Sequence, residues 1–216
     1  MNRTAIVIGA TGLVGSELVQ QLLKDNRFSV VKVFVRRSTG VQHVKLQENI
    51  IDFDAPHQWR YQVTGNVLFS ALGTTLKQAG GKDAQYKIDH TYQYRFAEAA
   101  AENGVPIYVL VSSAMASINS KIFYTRMKAE LERDINRLPF TYIQILRPGM
   151  LTGNRKEKRA GEKIGMALVR FLNKLGIAKK QKPVHASIVA SAMINVSFKK
   201  ESGVYSLLEV FDAAGA

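Results

Sequence analysis

Six short apolar runs, at residues 4–8, 30–35, 49–53, 67–71, 107–111 and 141–146, alternate with longer stretches whose apolar residues recur every three or four positions. A short apolar run suits a strand buried on both faces, and the three-to-four spacing suits a helix that buries one stripe. The spacing predicts helices over 13–24, 85–103 and 123–137, the second closing at Asn103-Gly104 with Pro106 beyond, a helix stop before a strand start. Strands alternating with helices fold as a parallel sheet covered on both faces, and right-handed crossovers leave few other topologies. The expected fold is therefore α/β, a doubly wound parallel sheet with ligands at the carboxyl ends of its strands. After Pro148-Gly149 the pattern changes: residues 151–159 are polar and turn-like, a basic amphipathic helix is expected over about 161–175, another helix over about 184–198, and a short strand over 204–208. The chain reads as one domain, residues 1–216, with 150–182 as a substrate-side lid and a small carboxyl-terminal region behind it.

Composition sharpens this in two places. The formal charge of +13 is local, because residues 155–182 carry ten Lys or Arg against Glu157 and Glu162, a net of +8. A solvated basic helix face is the plainer reading of such a segment, and attraction of nucleic acid, an anionic membrane or an anionic substrate is the other. No apolar stretch approaches the roughly 18 residues that span a bilayer. The absence of cysteine excludes disulfides, thiolate metal sites and cysteine nucleophiles. With Met1 leading straight into the first strand, a cytoplasmic location is expected.

The first strand runs into Gly9-Ala10-Thr11-Gly12-Leu13-Val14-Gly15 and the first helix follows directly. Glycines let the backbone turn sharply and approach a pyrophosphate, while unpaired N–H groups at the helix start face the anion. A dinucleotide is the ligand such a loop suits, with Gly9, Thr11, Gly12, Leu13, Val14 and Gly15 as its contacts. The second strand ends at Arg36-Arg37, where the adenosine ribose lies in such a fold. Arginine there pairs with a 2′-phosphate, so NADP is favoured over NAD. Asp52, with Phe53 beside it, is placed to meet the adenine amine, although Asp52 also suits a turn cap. The small residues around Ala71, Leu72 and Gly73 let backbone lie against the adenine ribose.

The fifth strand runs into Ser112-Ser113, and Tyr124 and Lys128 follow on a helix, four apart and so on one face. A phenol titrates near pH 10 and exchanges protons poorly at neutrality unless a cation stabilises the phenolate, which Lys128 would do. Ser113 would hold a substrate oxygen near Tyr124 while hydride moves to or from the carbon. Either serine of the pair fits that task.

These motifs together resemble the short-chain dehydrogenase/reductase superfamily in its atypical or extended branch, whose cofactor spacing Gly9 to Gly15 shares. The stretches 72–75, 89–101, 108–113, 123–124 with 128–132, and 146–151 narrow the resemblance to the Tat-interacting protein group of NADPH-binding oxidoreductase-like proteins. It implies a Rossmann fold, NADP held by the glycine loop and Arg36 or Arg37, and a Ser113, Tyr124, Lys128 triad, Ser113 being the usual family position. It also implies that Ser112, Tyr124, Lys128 and Arg147-Pro148-Gly149 border the cofactor, the last beside the nicotinamide.

His43, His57, His90 and His185 lack metal-ligand spacing and read as surface or loop residues, so no metal is expected. Trp59 and Tyr61 fit packing better than adenine cover. Tyr92 and Tyr94, two apart on a helix, share no face, and no nucleic-acid partner is expected. The leading expectation is an NADPH-dependent reductase of a small carbonyl compound, an anionic one included. A non-catalytic NADP-binding sensor or scaffold, docking an acidic protein through 155–182, is the second. Homo-oligomerisation stays open.

Overall fold

The computed structural model describes residues 2–153 and 183–216. Its strands are β1 (Arg3–Ile8), β2 (Phe28–Val35), β3 (Leu46–Ile50), β4 (Val67–Ser70), β5 (Ile107–Val111), β6 (Tyr142–Arg147), β7 (Leu151–Thr152), β8 (Val184–His185) and β9 (Gly203–Ser206). Seven of them form one sheet in the order β3-β2-β1-β4-β5-β6-β9, every pairing parallel. β7 and β8 form a separate two-stranded parallel ribbon. The Rossmann-type doubly wound α/β fold read from the sequence is the observed one.

Period-two alternation divides the strands between two cores. On one face Ala5 and Val7 of β1, with Val33, Phe69 and Val109, pack under α1 (Leu13–Lys24) and α7 (Ala186–Val196), which contribute Leu18, Leu22, Val189 and Met193. On the other, Ile6 and Ile8, with Leu68 and Leu110, pack under α5 (Gln93–Glu102) and α6 (Phe123–Ile135) through Phe96, Ala97, Leu131 and Ile135. Both faces are thus dry, which is why the central strands read as unbroken apolar runs. The chain steps outward from β1 to β3 and then returns to β4 on the far side of β1. The crevice at the carboxyl ends of β1 and β4 is consequently the switch point where ligands bind in this fold.

Four boundaries differ from expectation. β3 lies earlier than 49–53 because its register runs from Val31↔Leu46 to Val35↔Ile50, and Asp52 then turns the chain by accepting the Asp54 N–H at 2.9 Å. As an edge strand it is only partly covered, so Leu46–Ile50 carries polar residues that an apolar-run criterion passes over. After the short helices α2 (Pro56–Trp59) and α3 (Leu76–Ala79), the helix expected over 85–103 begins at α4 (Lys82–Tyr86), widens into a π-helical turn at Lys87–Tyr92 and continues as α5. Val184 and His185 pair with β7 before α7 starts, and the His185 ring caps that helix by accepting the Ser187 N–H at 3.3 Å. β9 stops at Ser206, since Leu207 adopts a left-handed φ of 54° and redirects the chain into α8 (Glu209–Ala214). The expected lid, 150–182, and its basic helix lie outside the described residues apart from 150–153, and the end at Gly153 sits near the first turn of α1: a Cβ on Gly153 would come 2.9 Å from Leu13 Cδ1.

Candidate active site

The loop after β1 is built by exclusion of side-chain atoms. Gly9 has φ +79°, and a Cβ there would stand 2.4 Å from the carbonyl of Ala71 at the end of β4. A Cβ on Gly15 would stand 2.0 Å from the Gly9 carbonyl oxygen, so the helix can start this close to the turn only without one. The Gly12 N–H donates to Gly9 O at 2.9 Å and closes the turn. α1 then opens with no side-chain cap and no acidic residue in its first turn, so its orphan N–H groups and positive dipole end are left for an anion. Ala71 N donates to Ile8 O at 3.0 Å, which stitches the two walls of the switch-point crevice together. Backbone this tightly drawn, with free N–H groups beside it, fits the pyrophosphate of a dinucleotide.

Arg36 and Arg37 follow β2 as exposed residues, and neither has a carboxylate within ion-pair distance among the described residues. Asp52 is exposed, with its side chain capping the turn to Asp54 and its carbonyl accepting the Trp59 indole N–H at 2.8 Å. Phe53 is buried against Tyr92, 5.3 Å between ring centroids. Asp52, Ile51 and Trp59 share the lining of a cavity of about 380 Å³ with Asn49 and Gln62. Trp59 is a core residue stacked on Phe96 at 4.8 Å, whereas Tyr61 projects into solvent.

Beyond β5 the two serines part company. Ser112 is buried and its hydroxyl donates to Glu132 Oε1, while Ser113 is half-buried and its side chain has no hydrogen-bond partner among the described residues. Glu132 also takes the Arg147 guanidinium in a two-pronged pair, Nε to Oε1 at 3.0 Å and Nη2 to Oε2. That carboxylate holds the Arg147 charge well above its ordinary range, hydrogen bonding outweighing the cost of burial. Arg147, expected beside the cofactor, therefore spends its guanidinium on joining β6 to α6. Pro148 is buried and Gly149 half-buried just after it, with Pro148 O accepting the Ala114 N–H at 3.1 Å.

Tyr124 stands in the first turn of α6, half-buried, its hydroxyl without a partner among the described residues. Lys128 lies one turn on and is buried, its ammonium 5.9 Å from the centroid of the Tyr124 ring. Asp89 faces it from the π-helical turn, Oδ2 4.0 Å from Nζ, both side chains at most 5% exposed. The other oxygen of Asp89 accepts the Thr74 N–H at 2.6 Å. Burial pushes the Asp89 carboxyl up, and Lys128 and the Thr74 N–H pull against that rise. Asp89 and Glu132 are the residues that sequence reasoning passed over. A trace existed for Glu132, an acid four residues after Lys128 among the buried Thr125, Met127, Ala129, Leu131 and Ile135 of the same helix.

His90 corrects its sequence reading as a surface residue. It is 9% exposed, stacked on Tyr86 at 4.6 Å, and its Nε2 lies 3.0 Å from Asp134 on α6.

With this geometry in place, comparison with known proteins decides the family. A family model described as NAD(P)H-binding matches residues 9–174, which begins at the first glycine of the cradle. The chain belongs to the NAD(P)H-binding family. It is 36% identical over 214 residues to the protein fmp52, mitochondrial, of Aspergillus fumigatus, covering 91% of this chain and 88% of that one. To the Saccharomyces cerevisiae FMP52 it is 40% identical over 158 residues, 71% of this chain and 68% of the relative. Among solved structures, the ADP-L-glycero-D-manno-heptose-6-epimerase of Helicobacter pylori superposes with a TM-score of 0.71 at 20% identity, over 95% of this chain and 76% of that chain. A short-chain dehydrogenase/reductase superfamily protein of Agrobacterium tumefaciens with bound NAD gives 0.70 at 12% identity, over 93% and 76%. The superfamily resemblance read from the sequence agrees with this membership. The cytoplasmic location does not stand: relatives 31–40% identical are named as mitochondrial proteins. A lack of cysteine constrains redox chemistry and carries no address. No helix among the described residues is long and apolar enough to cross a membrane.

Proposed function

We propose that this member of the family is an NADPH-dependent oxidoreductase that reduces a small carbonyl compound, and that it works in mitochondria, as the names of its fungal relatives suggest. The observation that carries the reading is the buried Lys128 ammonium beside the Tyr124 ring, with the Tyr124 and Ser113 side chains both left without partners among the described residues. Hydroxyl donors and a cation are what a developing alkoxide needs.

The bound cofactor supplies the hydride. Gly9, Gly12 and Gly15, with the first N–H groups of α1 at Leu13 and Val14, hold its pyrophosphate, and Thr11 lies exposed on the same turn. Arg36 and Arg37, without a carboxylate partner among the described residues, meet a 2′-phosphate at the end of β2 and set the preference for NADPH. Ala71, Leu72 and Gly73 form the opposite wall and Asp52 the adenine end. Ser113 donates to the substrate oxygen and orients the carbonyl. Tyr124 passes its phenolic proton to that oxygen as the carbon is reduced, and Lys128 stabilises the phenolate left behind. Ser112 is spent on Glu132, which favours Ser113 for the substrate-facing role. Pro148 and Gly149 continue from the Arg147 anchor along the same end of the sheet.

The test is NADPH oxidation over a panel of small aldehydes and ketones with the unmodified protein and Tyr124→Phe. General acid catalysis contributes roughly 10²- to 10⁴-fold, so Tyr124→Phe should lose turnover by about that factor while its NADPH affinity, read by fluorescence titration, stays within about twofold. Equal turnover in the two proteins would remove Tyr124 from the mechanism.

A further inference from the structure

The cation in this site is buried, and a buried ammonium needs a counter-charge. Of the acids on its own helix, Glu130 pairs with Arg126 at 3.6 Å, and Glu132, four residues on, has both carboxylate oxygens taken by Arg147 and Ser112. Tyr124 offers only a neutral ring. From the element packed opposite, Asp89 brings a carboxylate 1% exposed to within 4.0 Å of Nζ, whereas its neighbour His90 is turned to Asp134.

Asp89 is held at this point by its backbone as well. The turn that carries it is π-helical, the Gln93 side-chain amide donates to the Asp89 carbonyl at 2.6 Å, and Gln93 Oε1 accepts from Ser70 at the end of β4, also at 2.6 Å. Gln93 and Ser70 are both fully buried, so this chain of bonds is shielded from water and strong. Widened helical turns occur often where a side chain must be aimed at a site. The carboxylate has a second engagement, since Oδ1 accepts the N–H of Thr74, in the loop Ala71 to Thr74 that runs on from the wall facing Gly9.

We propose that Asp89 is a positioning residue that acts through Lys128 and Thr74 at once: its charge balances the buried Lys128 side chain and holds it beside Tyr124, and its second oxygen fixes the cofactor-side loop to the same point. The two oxygens divide the work, one serving the proton-transfer half of the site and the other the wall of the cradle. This rests on the oxidoreductase reading for its purpose, but the ion pair and the loop anchor are tested without turnover.

The experiment uses the full-length protein and its Asp89→Asn and Asp89→Ala variants, with folding checked by circular dichroism. Amine acylation of Lys128, followed by mass spectrometry across a pH series, reads the fraction of that side chain in the neutral, nucleophilic form. Asp89→Asn keeps an acceptor for Thr74 and removes the charge, so Lys128 acylation near pH 8 should rise at least about tenfold while the plateau at high pH is unchanged. A curve that does not move, or one that rises in parallel at every pH because the pocket has opened, overturns the charge role. NADPH affinity reads the other oxygen: Asp89→Asn should bind within about threefold of the unmodified protein and Asp89→Ala at least about tenfold more weakly, at the scale of a lost hydrogen bond to a charged group. Equal affinity of the two variants overturns the loop anchor. Should Asp89→Asn fold too poorly to label, Asp89→Asn/Lys128→Met serves instead. Recovery of melting temperature in the double variant supports the pair, and additive losses refute it. Failure of the oxidoreductase reading would appear separately, as Asp89-dependent labelling in a protein that turns over no carbonyl.

Discussion

The glycine turn after β1 and the charged cluster around α6 stand at the same end of the sheet and are built by opposite means. In the turn, three stretches of backbone approach so closely that a single Cβ at Gly9 or Gly15 would fall 2.0 to 2.5 Å from a neighbouring atom. Nothing there depends on charge or pH. In the cluster, Ser112, Glu132 and Arg147 form one closed set and Asp89, Lys128 and Thr74 another, and the positions of strands β4, β5 and β6 are registered through ionised side chains. One region is specified by what must be absent, the other by partners that must all be present.

That contrast can be broken at either end. The largest effect is expected for Gly15→Ala, which drives a methyl group into the Gly9 carbonyl. Overpacking ordinarily costs about 1–3 kcal/mol and more against backbone, so NADPH binding should disappear and the melting temperature fall sharply. Affinity retained within tenfold would mean the turn is more adaptable than its geometry indicates. Next comes Glu132→Gln, which strips the charge from a carboxylate holding both Arg147 and Ser112. Breaking a buried ion pair costs about 3–5 kcal/mol. Because the Arg147 side chain is 29% exposed, the loss read by urea unfolding should sit at or below the lower end of that range. A neutral outcome would show that the clamp adds no stability.

Arg36→Ala/Arg37→Ala is milder still. Each charge-assisted contact to a phosphate is worth about 1.5–3 kcal/mol, so NADPH should bind about tenfold or more weakly while NADH is unchanged. Equal affinity of the unmodified protein for both cofactors would refute the 2′-phosphate role. The smallest effect belongs to Asp134, whose carboxyl is held below its ordinary range first by the Arg133 hydrogen bond and then by His90, against the opposing pull of burial. A depressed carboxyl stabilises the fold above its unfolded pKa and loses that contribution as pH falls through the folded value. Asp134→Asn should therefore cost less than about 1 kcal/mol at pH 7, after solvent screening, and nothing once pH drops below the depressed value of the folded state. A difference that persists in acid would assign the effect to packing on His90.

The same contrast explains what could be read from the chain. The sheet, its order of elements and the glycine cradle were legible because burial on both faces and exclusion of Cβ atoms write themselves into local sequence, as in β1 followed by Gly9 to Gly15. Edge strand β3 was misplaced because half its surface is wet and its residues are mixed. Tyr124 and Lys128 were visible as a spacing, but Asp89 was not, since its partner lies 39 positions away and only the π-helical turn aims it there. Long-range partnerships of charged side chains leave no periodic trace. Ser112 and Arg147 illustrate the point from the other side: their places near the site were anticipated, their capture by Glu132 was not.

The Gly15 position has a consequence for heredity. Every single-base change in a glycine codon that alters the residue brings in at least a Cβ, and here that one atom collides with the Gly9 carbonyl 2.0 Å away. Among natural variants of the gene, only silent third-base changes should persist at this codon for as long as the organism needs the cradle. Counting silent against replacing changes there asks whether cofactor binding matters in the living cell, independently of the substrate.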